Sequence, residues 1–131
     1  MREELIPVCC PSLKPTSRSA LVNINLLQHT TRPDMWPMYL AAIGEAEIEV
    51  DHQLSFEHFF MLIEAAKSGM GIALIPRLFI QNELEKGILT IAFQAEYESP
   101  YIYYLICKKD RLATEKVQQF KGWLISLFDQ Q

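Results

Sequence analysis

Ser55-Phe-Glu-His-Phe-Phe-Met-Leu-Ile-Glu-Ala-Ala-Lys-Ser-Gly-Met-Gly-Ile-Ala-Leu-Ile-Pro76 is the stretch on which the fold turns. Apolar Phe56, Phe59, Phe60 and Ile63 fall at i, i+3, i+4 and i+7, the spacing of a helix with one buried face. Ser55 is placed to cap its start, with Leu54 stapling to Phe59. Lys67 complements the helix dipole, and Gly69 suits the left-handed position that ends a helix. Gly71 leads into the apolar run 72–75, too short for a second helix and apolar on both faces, as a buried strand is. Helix, turn and buried strand make half of a βαβ unit, and such units hold ligands outside the carboxyl ends of their strands.

Working outward, residues 5–9 (Leu-Ile-Pro-Val-Cys) read as a short strand with Pro7 at an edge or at its start. Pro11 and Pro15 mark a loop. Leu21, Ile24 and Leu27 have helical spacing interrupted by Asn23 and Asn25. Residues 28–32 read as a brief strand that Pro33 ends. Asp34 then caps a helix with the stripe Trp36, Tyr39, Leu40 and Ile43, closed by Gly44. Ile48, Val50 and His52 alternate with acidic residues like a half-buried strand. Beyond the central stretch, Pro76 opens a helix carrying Leu78, Phe79 and Leu84 and closed by Gly87. Residues 88–93 form a strand, 94–99 a polar loop, and 101–107 the longest β-favouring run. A final helix carries Ala113, Val117, Phe120, Leu124, Leu127 and Phe128 on one stripe. Alternation of this kind predicts an α/β fold.

The 131 residues suffice for one domain with a real core, and a half-hydrophobic composition excludes disorder. A net charge of −4 argues against a nucleic-acid surface, since only Lys108, Lys109 and Arg111 cluster. Glu3 and Glu4 stand where a signal peptide would be basic, and no apolar run is long enough to span a membrane, which predicts a cytoplasmic protein. Cys9, Cys10 and Cys107 have no CxxC spacing and fit a reducing compartment; the adjacent pair reads as small buried hydrophobes. The sequence lacks GxGxxG, a phosphate loop and GxSxG. His29, His52 and His58 have poor metal-ligand spacing, and Glu45, Glu47, Glu49 and Asp51 read as a solvated face. No catalytic set, metal site or cofactor is predicted, and the residues alone give an α/β ligand-binding fragment.

Five segments, in this order and spacing, carry a resemblance: Leu5-Ile-Pro-Val-Cys-Cys-Pro11; Leu26-Leu-Gln-His-Thr30; Trp36 with Tyr39-Leu40 and Gly44; Phe56-Glu-His-Phe-Phe with Glu64-Ala-Ala-Lys-Ser-Gly-Met-Gly-Ile-Ala-Leu-Ile-Pro76; and Leu84-Glu-Lys-Gly-Ile-Leu89 followed by Tyr103-Tyr-Leu and Phe120-Lys-Gly-Trp-Leu124. Together they resemble the C-terminal effector-binding domain of LysR-type transcriptional regulators. The resemblance implies a truncated periplasmic-binding-protein type II-like lobe, a mixed sheet flanked by helices. Residues 1–100 correspond to the second effector-binding lobe, and 101–131 to the crossover strand and terminal helix that pack on the first lobe. Most of that first lobe and the DNA-binding domain are missing from these residues, so DNA would be reached only through the latter.

The same resemblance implies a non-enzymatic sensor of a small anionic or amino-acid-like effector, bound in an interlobe cleft by a protein that self-associates. Carried over position by position, the effector contacts are Thr31, Arg32, Trp36, His58, Phe59, Tyr101 and Tyr103. Bare N–H groups at the 34–36 helix start beside Arg32 would suit a carboxylate. His58 replaces the small hydroxyl residue often found there, so no particular effector carries over. The rival reading is a stand-alone solute-binding or enzymatic α/β domain.

Overall fold

The computed structural model describes residues 1–50, 54–93 and 97–128. It divides into two compact units, Glu3–Ser99 and a second made of Met1–Arg2 with Pro100–Gln131. The larger unit is built on a mixed sheet of β1 (Arg2–Cys9), β2 (Leu26–His29), β3 (Ser55–Phe56), β4 (Ile72–Pro76) and β5 (Thr90–Ile91), in the order β3-β2-β4-β1-β5. β2 runs parallel to β3 and β4, while β1 runs antiparallel to β4 and β5. β1 also pairs with β6 (Glu98–Ile102).

Both faces of the sheet are covered, which explains why the middle strand β4 is apolar at every position. Leu5, Cys9, Leu26, Ile72 and Leu74 face one way, onto Met35, Trp36, Tyr39 and Leu40 of α1 (Met35–Ala42). Ile6, Val8, Leu27, Ala73 and Ile75 face the other way, onto Leu62, Ala65 and Ala66 of α2 (Phe59–Lys67). Helix α1 ends as expected, at Gly44 with φ +80°, and Gly69 follows α2 at φ +76°.

Several boundaries differ from the sequence expectation. Ser55 does not cap α2: with Phe56 it pairs in parallel with Gln28 and His29, and extended His58 occupies the N-cap. The helix therefore buries Leu62, Ala65 and Ala66, and leaves Phe60 exposed. The strand expected at 28–32 begins earlier, at Leu26, and residues 18–23 form a 3-10 turn in place of the interrupted helix. Asp34 sits at the α1 N-cap without a side-chain capping bond.

Pro7 is inside the sheet, opposite Leu74, rather than at an edge. It is tolerated where β1 changes neighbour: Leu5 donates to Tyr97 and Pro7 accepts from Ala92, so the absent N–H falls where β6 gives way to β5. Pro76 ends β4 opposite Leu5, and α3 covers only Gln81–Glu85. The strand expected at 88–93 pairs only at Thr90–Ile91, and part of the 94–99 loop is strand β6. Ile48 and Val50 pack on the α1 side outside any strand, whereas Asp51, His52, Gln94, Ala95 and Glu96 lie outside the described residues.

In the smaller unit, the ladder expected over 101–107 stops at Ile102, although Met1 and Tyr103 still exchange backbone hydrogen bonds. Helix α4 (Glu115–Phe128) buries none of its residues; Phe120, Trp123, Ile125 and Leu127 stand exposed. Among the described residues no helix is long and apolar enough to cross a membrane.

Candidate functional site

The connection leaving β2 passes through α1 on one face to β3, and the chain returns through α2 on the other face to β4. Reversal of direction around β2 opens the sheet at its carboxyl edge, the place where α/β folds hold ligands. His29 ends β2 there, Phe56 ends β3, and Phe79 follows β4. Because β1 is antiparallel, its first residues, Glu3 and Glu4, arrive at the same edge.

Phe59 is the centre of the cluster. His29 lies 4.5 Å from its ring and Phe79 5.6 Å, and the Arg32 guanidinium carbon stands 5.0 Å over it. Arg32 Nη1 donates to both carboxylate oxygens of Glu3, at 3.0 and 3.1 Å, and Ser99 Oγ donates to Glu3 at 2.9 Å. Glu3 is only 1% exposed, and the ion pair and the Ser99 hydroxyl are among the partners that make its burial tolerable. Gln28 Nε2 donates to the Pro33 carbonyl at 2.6 Å and to that of Arg32 at 3.4 Å, bracing the turn that presents the guanidinium. Nearby, His58 stacks on Phe60 at 5.5 Å, and both side chains are exposed.

Burial, together with the charges of Arg32 and His58 and against the pull of Glu3, holds the His29 pKa below its ordinary 6.5. His29 therefore stays neutral near pH 7, with Nδ1 3.2 Å from Thr31 Oγ1. A histidine whose folded pKa lies below its unfolded one supports the fold fully above the unfolded value. That support declines as pH falls from about 6.5 toward the folded pKa. Between pH 7.5 and 5.5 the melting temperature of the unchanged chain should fall further than that of His29→Gln. Equal falls would mean that His29 does not titrate as its surroundings dictate.

Thr31, Arg32 and Phe59 thus come together through contacts with one another or with His29, and His58 opens the same helix as Phe59. Trp36 belongs elsewhere: it is 1% exposed, and its indole N–H donates to the Leu27 carbonyl at 2.9 Å, so it is a core residue beneath the turn. The carboxylate seat expected at the α1 start is largely used by the chain itself. Met35 N–H donates to Arg32, Pro37 has no N–H, and Arg32 is held by Glu3. Tyr101 and Tyr103 belong to the smaller unit, Tyr101 exposed and Tyr103 half-buried. Glu3, His29, Phe79 and Ser99 were not singled out as contacts. No His, Cys, Asp or Glu cluster suited to a metal occurs among the described residues.

The family model described as LysR substrate binding domain matches residues 1–129. The chain is 30% identical over 128 residues to the glycine cleavage system transcriptional activator of Escherichia coli, covering 95% of this chain and 42% of the relative. It is likewise 30% identical over 128 residues to the HTH-type transcriptional activator AmpR of Pseudomonas aeruginosa, with 94% and 42% covered. The effector domain of that AmpR has a solved structure that superimposes with a TM-score of 0.79 at 26% identity, over 97% of this chain and 61% of that one. The AmpR effector-binding domain of Citrobacter freundii, at 20% identity and TM-score 0.76 over 99% of this chain and 66% of that one, shares the fold. This chain therefore spans less than half the length of the curated relatives it matches.

Proposed function

The chain belongs to the LysR substrate-binding domain family, and from that premise we propose that it is the effector-sensing part of a LysR-type transcriptional regulator, not an enzyme. The observation that carries this reading is the convergence of Thr31, Arg32, His58 and Phe59 at the carboxyl edge of the parallel strands. A small amino-acid-like effector suits it, with a carboxylate toward the exposed part of Arg32 and an apolar group against Phe59 and Phe79. The division at Ser99–Pro100 supports reading Glu3–Ser99 as a second lobe and the remainder as elements that pack on a first lobe. Tyr101 and Tyr103 would then contact the effector from the crossover strand, and DNA would be bound through an N-terminal domain.

Titration of the chain with amino acids, aromatic acids and short peptides, followed by amide NMR, tests the site. A ligand should move the His29, Thr31 and His58 signals, and exposed His58→Ala should weaken binding roughly five-fold without lowering the melting point. Ligands that move only signals remote from these residues would refute the site. The uncovered stripe of α4 also fits self-association, which light scattering on the same sample reads as a mass above one chain.

A further inference from the structure

Along edge strand β5 runs a groove of about 510 Å³ whose floor is Leu84, Leu89, Ile91 and Phe93, with Lys14 and Arg77 among its lining. Leu89 is buried and the other three are half-buried, so the floor is fixed by the core beneath it rather than by mobile surface side chains. No acidic residue lines the groove among the described residues, in a chain whose net charge is −4. Arg77 gives its Nε to Glu4 at 2.8 Å, which orients the guanidinium and leaves its terminal nitrogens for another acceptor. Lys14 is exposed and follows the 3-10 turn Pro11–Leu13 that leaves β1, the strand paired with β5.

An apolar floor flanked by two cations matches one chemistry, a negatively charged head on a hydrocarbon body. We propose that this groove is a second ligand site that takes amphipathic carboxylic acids, the carboxylate drawn to the cationic lining of Lys14 and Arg77 and the chain or ring along Leu84, Leu89, Ile91 and Phe93. The site is separate from the cluster around Phe59, so one can fail while the other stands.

Octanoate is the probe, with octanol and inorganic phosphate as the arms that lack the head or the body. Amide NMR of the whole chain should show octanoate moving Thr90, Ile91 and Phe93. Octanol should bind roughly ten-fold more weakly, and phosphate should leave these signals in place. Lys14→Met, an exposed change that leaves the fold intact, should weaken octanoate by a similar factor, and Arg77→Met should do so again. Equal binding of octanol or of phosphate, unmoved Thr90, Ile91 and Phe93 signals, or unchanged affinity in both variants would each overturn the proposal. Signals at His29 and His58 in the same spectra report the other site independently.

Discussion

Gly71→Ala should be among the most damaging single-methyl additions in this chain, costing about 3 kcal/mol in urea unfolding. A Cβ at this position would stand 2.3 Å from the Asn25 carbonyl oxygen and 2.9 Å from Leu27 Cδ2. The oxygen is backbone and already accepts the Ile72 N–H at 2.9 Å, the bond that starts the β2–β4 ladder. Relief would therefore require β2 and β4 to part where the sheet is most buried. Gly122→Ala is the matched contrast: nothing lies within 4 Å of its Cβ position in α4, and the helix should gain roughly 1 kcal/mol. A Gly71→Ala protein as stable as the unchanged chain would mean that the two strands do not approach as described.

The second large effect is expected at the buried ion pair. Arg32→Met strands the Glu3 carboxylate at 1% exposure with Ser99 Oγ among its remaining donors, and should cost about 3 kcal/mol. Removing both charges in Glu3→Leu with Arg32→Met should recover much of that loss, because Glu3 starts on the face where Leu5 packs. The ordering of single and double variants in denaturant separates a desolvated carboxylate from lost packing over Phe59. If the double variant is no better than the single, the cost lies in other contacts of the guanidinium, its packing over the Phe59 ring among them.

Local signals in the sequence identified what is locally encoded. The Trp36–Tyr39–Leu40 stripe, the left-handed glycines at 44 and 69, and the apolar run at 72–75 each carry their instruction within a few residues. Ser55 misled because a capping residue and a strand residue look alike until a partner is known, and its partner, Gln28, is far away in sequence. Pro7 misled for a related reason: what makes it harmless is the change of neighbour from Tyr97 to Ala92. At the candidate site, Thr31, Arg32, His58 and Phe59 are expectations that come only from the family resemblance. Glu3 was seen only as a charge near the N-terminus. Its role depends on an antiparallel strand carrying residue 3 beside residue 32, and no spacing rule spans that separation.

Glu3 and Glu4 are neighbours in one strand, so their side chains leave opposite surfaces of the sheet. The first tethers the exit of β2 through Arg32, and the second tethers the exit of β4 through Arg77. Two consecutive acids thus fasten two strand exits from opposite surfaces, the Glu3 pair buried and the Glu4 pair with both partners 40–41% exposed, so breaking the first should raise hydrogen exchange at the end of β2 while breaking the second changes little at the end of β4.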